Sequence, residues 1–228
     1  MMKSKIPIRK RFVPNGITLL YEDRDILVID KSAGLLSVKA RYESELTAHN
    51  LLTQYIRKGN SRATAELFVV HRLDRETSGL LMFAKSLAIR ETLASQWTRV
   101  EKKYLALVHG TMNPKNGLIE SYLADDEDYV VRTVQDPQEG KLARTRYQVI
   151  RESNNQSLLE IDLLTGKKNQ IRVHLSEKGH PIVGDAKYGA QGNSKGRLCL
   201  HAWKLKFQHP FTHEALNFEA VIPPCFNV

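Results

Sequence analysis

Two apolar runs with a charged stretch between them limit the fold of this chain most. Leu67-Phe68-Val69-Val70 and Leu80-Leu81-Met82-Phe83-Ala84 flank the sequence His71-Arg72-Leu73-Asp74-Arg75-Glu76-Thr77-Ser78-Gly79. Each run has the length and composition of a buried strand. Asp74, set among two arginines, two hydroxyls and a glycine, is therefore expected on a connection fixed at both ends, the rigid support that a reactive carboxylate needs.

The remaining pattern alternates strands with a few helices. Ile17–Tyr21 and Ile26–Asp30 read as a hairpin about Glu22-Asp23-Arg24-Asp25. Thr47 is the expected cap of a helix running to Lys58, with Leu51, Leu52, Tyr55 and Ile56 on one face and Gly59 as its stop. Ser86 starts a second helix, in which Leu87, Ile89, Leu93 and Trp97 are candidates for burial. Residues 102–109 form a strand with Tyr104, Ala106 and Val108 on one face and Leu105 and Leu107 on the other, so both faces need cover. Asn113–Gly117 and Gln135–Gly140 read as turn and loop, and Thr145–Arg151 pairs with Ser157–Leu164 about Ser153-Asn154-Asn155. A helix over Asn169–Lys178, ended by Gly179, precedes strands at Arg197–Phe207 and Ala215–Ile222. This order of many strands with a few interspersed helices predicts a mixed sheet of the α+β type.

With 228 residues the chain can bury one sizeable core. The expected division is a basic N-terminal arm over residues 1–16 and one catalytic domain over residues 17–228. No stretch reaches the ~18 apolar residues of a membrane span, and the N-terminus lacks the apolar segment of a secretory signal, so a cytoplasmic protein without a membrane partner is expected. Cys199 and Cys225 show no metal or disulfide spacing, and His174, His180, His201, His209 and His213 match no metal-site pattern; no metal is expected. The formal net charge of +9 favours a polyanionic partner. Lys3, Lys5, Arg9, Lys10 and Arg11 make the arm basic, and Lys141, Arg144, Arg146 and Arg151 recur along one strand, whereas Asp125–Asp128 reads as a solvated acidic loop.

The segment around Asp74 resembles the HRLDxxTSG signature of the RluA-type pseudouridine synthases. Lys31-Ser32-Ala33-Gly34-Leu35-Leu36-Ser37-Val38 is similar to that family's KPAGLLSV opening, and Lys103–Val108 to its KxYxAxV strand. Thr165–His174 resembles its GRTHQIRVH segment and Gly179–Gly189 its GHPILGDxxYG. The four further blocks and the first keep the family's order over roughly residues 17 to 222. The chain departs from the pattern at Ser32, where proline is usual, and at Gly166-Lys167-Lys168-Asn169-Gln170.

The resemblance implies a pseudouridine synthase fold, an extended, mixed, mostly antiparallel sheet flanked by helices with a central active-site cleft, together with an RNA partner (ribosomal or transfer RNA) and no cofactor. Action as a monomer is expected. Many relatives carry an S4-type RNA-binding domain ahead of the catalytic one. With about sixteen residues before the first strand here, recognition is expected from the catalytic domain and the arm. The reaction cleaves the uridine N1–C1′ bond, turns the base and rejoins it through C5. Asp74 would serve either by covalent attack or by taking the C2′ proton, and in each case must be ionised. Arg172, at the family's matching position, is the expected cation for Asp74; on residue type alone, pairing with a phosphate or an unrelated acid on a helix surface is the better reading. Tyr104 matches the family's active-site tyrosine, placed to stack on uracil near C5. Arg72 is a candidate to fill the gap left by a flipped base, and Ile171, beside Arg172, to line the nucleotide site. Thr77, Ser78 and Gly79 are expected to shape the loop, and Asp185 to lie in a turn against the cleft. Rival readings are a silent RNA-binding protein and a nucleoside hydrolase that would release free uracil.

Tyr104→Phe separates the two roles of that ring: stacking, and hence RNA affinity, is expected to persist. Turnover near wild type in a pseudouridine-formation assay would then remove the hydroxyl from the chemistry.

Overall fold

The computed structural model describes residues 13–39, 46–58, 60, 62–189 and 196–227. The cationic residues of the arm, Lys3 to Arg11, and the helix stop Gly59 lie outside the described residues. The chain divides into two compact units, Met1–Val100 with Lys206–Ala220, and Glu101–Leu205 with Val221–Val228.

In the first unit β1 (Ile17–Glu22) and β2 (Ile26–Lys31) form the expected hairpin, with a register shift between Leu19 and Tyr21. Asp23 closes its turn: Oδ1 accepts from the Asp25 and Ile26 amides at 2.8 and 2.7 Å, and Oδ2 from Tyr21 Oη and His209 Nε2 at 2.7 and 2.8 Å. His209 Nδ1 accepts from the Phe211 and Thr212 amides, so Nε2 carries the proton. Asp23, Asp25 and His209 are a ligand-type cluster, yet Asp23 already has four donors, which suits a loop brace better than a cation site.

β2 pairs antiparallel with β4 (Ser78–Ala84), whose seven residues are all buried. Strands covered on both faces need continuous apolar runs, as both have. The strand expected over Leu67–Val70 is shorter: β3 (Phe68–Val69) has two half-buried residues, and the Leu67 carbonyl meets His49 Nε2 at 2.7 Å. Helices α1 (Ala48–Ile56) and α2 (Leu87–Ser95) start at the expected caps, where Thr47 Oγ1 accepts from Asn50 N and Ser86 Oγ from Ile89 N. Of the α2 residues expected inside, Leu93 is buried, whereas Leu87, in the first turn, is 50% exposed.

The second unit holds the antiparallel run β5 (Glu101–His109), β9 (Gln156–Leu163), β8 (Lys141–Ser153), β6 (Asn116–Asp125) and β7 (Val131–Val134). Asn154 and Asn155, both at positive φ, make the tight β8–β9 turn. Beside β5 runs β10 (Leu200–Gln208), whose last three residues belong to the first unit, where β11 (Ala215–Glu219) follows. Cys199 and Cys225, distant in sequence, meet here: the Cys199 thiol donates to the Cys225 carbonyl at 3.7 Å, and both are free thiols. Among the described residues, these ladders and three α-helices make the α+β class expected of the sequence. Among the described residues no helix is long and apolar enough to cross a membrane.

Helix α3 (Gln170–Glu177) lies on the face of this sheet that carries Tyr104. Tyr104 is opposite Ile161, and Ile161 opposite Tyr147. Thr145, two residues along from Tyr147 on the same face, binds His174 Nδ1 at 2.9 Å and Gln170 Nε2 at 2.9 Å. His174 Nε2 meets Ser121 Oγ at 3.1 Å. The fully buried imidazole is held at a pKa of about 4, chiefly by loss of water around its charged form. Its folded value lies below its unfolded one, so its contribution to stability is complete above about pH 6.5 and is lost as pH falls towards about 4. The full effect is on the order of 3 kcal/mol. Denaturant unfolding across this range should show a shallower acid limb in His174→Gln than in the natural protein; identical limbs would assign the loss to other groups.

Candidate active site

Asp74 sits between two peptide units that side chains from another segment hold in place. On the N-terminal side, the buried Ser37 hydroxyl donates to the Leu73 carbonyl at 2.7 Å and accepts from the Leu73 amide at 3.0 Å. On the C-terminal side, the Arg75 carbonyl accepts from Lys31 Nζ at 3.1 Å and from the Gly34 amide at 2.9 Å. Lys31 is fully buried, and its ammonium also donates to the carbonyls of Ser32 and Leu35, at 2.9 and 2.7 Å. Carbonyl dipoles take the place of water around that charge. Gly34 reaches Arg75 from a φ of +88°, a conformation that suits glycine.

The rest of the loop is equally constrained. The Thr77 amide donates to the Asp74 carbonyl at 3.2 Å, and Thr77 and Ser78 are buried at the entry to β4. His71 accepts from the Met82 amide at 3.1 Å and lies against Trp97, with 4.7 Å between ring centres. Arg72 is exposed and Asp74 half-buried, so one points outward while the other is partly shielded. Ser32 explains one departure from the family's opening: its amide donates to the Gly16 carbonyl at 2.9 Å, a bond proline could not make.

Tyr104, Ile171 and Arg172 belong to the second unit, whereas Asp74 and Arg72 belong to the first. Tyr104 and Ile171 are both buried. Within its unit Arg172 is gripped by Asp185: Nε and Nη2 donate to the two carboxylate oxygens at 2.8 and 2.7 Å. Asp185 Oδ1 also accepts from the amides of Lys187 and Tyr188, both at 2.9 Å. Burial alone would raise the Asp185 pKa, but the Arg172 hydrogen bonds and charge and these two amides hold it below the ordinary carboxylate value. This bidentate pair uses two of the five guanidinium N–H groups and fixes the plane of the rest. The partner of Arg172 in this pair is a residue that the sequence pattern placed only in a turn. Its signal was the spacing of an acid thirteen residues beyond the arginine, which cannot be read without knowing that the chain reverses after Gly179.

Comparison with known proteins identifies the family. The family model for RNA pseudouridylate synthase matches residues 25–177. A Bacillus subtilis protein described as an uncharacterized RNA pseudouridine synthase, YjbO, is 34% identical over 212 residues, covering 92% of this chain and 74% of that protein. The ribosomal large subunit pseudouridine synthase D of Nitrosomonas europaea is 34% identical over 218 residues, covering 91% of this chain and 62% of its own length. Among solved structures, human RNA pseudouridylate synthase domain containing 1 superposes with a TM-score of 0.72 at 26% identity, covering 90% of this chain and 83% of that one. Human RNA pseudouridylate synthase domain containing 4 has the same fold, with a TM-score of 0.76 at 24% identity over 91% of this chain and 89% of its own. The family match spans the Asp74 segment and the Tyr104 strand, and with the curated relatives it makes the chain an RNA-modifying isomerase. The chain belongs to the RNA pseudouridylate synthase family.

Ser37→Ala would leave the Leu73 amide and carbonyl without their partner, at a cost of about 1–3 kcal/mol. Thermal unfolding should register that loss. If the bracket also aims Asp74, steady-state kinetics will show a fall in kcat larger than any change in KM, with partial rescue in Ser37→Thr; an unchanged kcat would limit Ser37 to stability.

Proposed function

We propose that this protein isomerises a specific uridine in structured RNA, in large-subunit ribosomal RNA or in transfer RNA, and that Asp74 is the essential carboxylate. The observation that carries the reading is the double clamp on Asp74, with Ser37 bracketing the residue before it and Lys31 and Gly34 holding the residue after it. A carboxylate whose flanking peptides cannot shift keeps its aim through bond cleavage, base rotation and rejoining. Support for RNA as substrate comes from the family, and support for ribosomal RNA from the Nitrosomonas relative named for the large subunit.

In this reading the target uridine is flipped from its stack, and Arg72, exposed two residues before Asp74, fills the vacated space. Tyr104 stacks on the uracil and stands near C5, from which a proton leaves after rejoining. Arg172 favours the ionised form of Asp74, and Ile171 contributes an apolar wall. These assignments rest on the match of each residue to the family's motifs. In this reading the enzyme acts as a monomer in the cytoplasm without metal, and it needs no redox cofactor because an isomerisation involves no net transfer of electrons.

Pseudouridine mapping of ribosomal and transfer RNA tests the proposal directly, using cells with the natural protein, with Asp74→Ala or with none. One site should disappear in both defective strains. Persistence of every pseudouridine, together with inactivity of purified protein on unmodified transcripts, would reject it, and release of free uracil would indicate a hydrolase.

A further inference from the structure

From Arg172 outward, cations and tyrosine rings alternate along the second unit. The Arg172 guanidinium carbon lies 5.2 Å from the Tyr188 ring centre, and Lys187 Nζ lies 5.6 Å from the same ring. Lys187 Nζ also meets the Tyr129 carbonyl at 3.3 Å, where Lys168 Nζ donates at 2.9 Å. Lys168 in turn lies 5.8 Å from the Tyr129 ring centre. The five residues form one series, joined between Lys187 and Tyr129 through the Tyr129 carbonyl.

Tyr129 is the unusual member. It stands at the tip between β6 and β7, in a loop fixed by Asp126, whose Oδ1 accepts from the Asp128 and Val130 amides at 3.1 and 2.7 Å. Its φ is +57°, where glycine or asparagine is at ease and a bulky side chain is strained. Its side chain is 68% exposed, so core packing does not offset that strain. A turn built for stability alone would not place tyrosine here.

The lysines add a second, independent sign. Two ammonium groups converge on one carbonyl oxygen. Lys168 forms an ion pair with Asp125. Partial burial, then the neighbouring charges of Lys168 and Arg172, lower the proton affinity of Lys187 below that of an ordinary lysine, against the opposing pull of Asp125 and Asp126. An anion beside Lys187 would relieve this crowding. Glu127 and Asp128, exposed on the tip, disfavour phosphate there and leave the Tyr129 ring face for an uncharged group.

We propose that this series is a contact surface for the RNA strand adjoining the target uridine, with an unpaired base stacked on Tyr129 and a neighbouring phosphate on Lys187. It rests on the reading that Arg172 serves the target nucleotide. Lys168 lies in the segment where this chain departs from the family's GRTHQ pattern, so the surface is a feature of this chain's own recognition. Base stacking on an exposed aromatic ring tolerates any sequence, and a lysine adds a salt-sensitive contact.

The test uses the full chain and total ribosomal and transfer RNA from cells lacking the protein. Tyr129→Gly should weaken binding about tenfold while leaving thermal stability equal or higher, and Tyr129→Phe should retain affinity. Lys187→Gln should weaken binding and lower the slope of log affinity against log salt by about one. Ultraviolet crosslinking followed by mass spectrometry should find a nucleotide on the peptide carrying Tyr129. Unchanged affinity in both Tyr129→Gly and Lys187→Gln, with no adduct on that peptide, would overturn the surface. An adduct at Tyr129 in a protein that forms no pseudouridine would instead reject the catalytic reading and keep the surface.

Discussion

The ammonium of Lys31, buried at the end of β2, is the interaction on which the first unit turns. An isolated ammonium removed from water costs several kcal/mol, so it persists only where acceptors surround it. Here the carbonyls of Ser32, Leu35 and Arg75 do so, and they belong to the two segments that must meet for Asp74 to be held. Lys31 is positioned by the β2–β4 ladder, in which it stands opposite Gly79. The same ladder sets where the loop after Asp74 enters β4. Loss of any one carbonyl would leave the charge less solvated, so backbone drift around Asp74 is penalised by electrostatics as well as by packing.

The second unit uses the same device with the opposite sign. Asp185 is a buried carboxylate that accepts from a guanidinium and from two successive amides. It joins α3 to the turn after Gly184 and so decides the orientation of Arg172 and the place of Lys187 and Tyr188 together. Gly184 is required for that turn: its φ is +77°, and a Cβ there would meet the Arg197 carbonyl oxygen at 2.1 Å. The arginine's aim and the aromatic series beside it therefore have a common support.

Much of this was legible in the sequence where the signal is local. Thr47 and Ser86 cap their helices because a hydroxyl can satisfy an amide three residues on, and Gly179, at φ +80°, ends α3 because few other residues adopt that conformation. The strand β6 was illegible: Leu118 is 45% exposed while Ile119 and Leu123 are buried, so apolar residues occur on both faces and blur the alternation. β7 is short and follows an acidic loop that reads as solvent-exposed throughout. Ser37 and Asp185 could not be recognised as supports, because their partners, Leu73 and Arg172, are distant in sequence. Motif matching marked the segments in which they occur without giving the bonds that make them useful.

The two departures from the family pattern illustrate how substitution separates the scaffold from recognition. At Ser32 the amide bonds to the Gly16 carbonyl and the residue's own carbonyl still serves Lys31, so the clamp on Asp74 is preserved. Lys168 is exposed and Asn169 half-buried. Asn169 suits its left-handed φ of 52° and donates to Tyr188 Oη at 3.2 Å, while Lys168 reaches across to Asp125 and the Tyr129 carbonyl. Gln170, the next residue, retains four hydrogen-bond contacts, to Thr165, Lys167, Arg144 and Thr145, and anchors the start of α3 regardless. A change at 168 or 169 can therefore alter the surface offered to RNA without moving Arg172, because the helix is fixed by the glutamine between them.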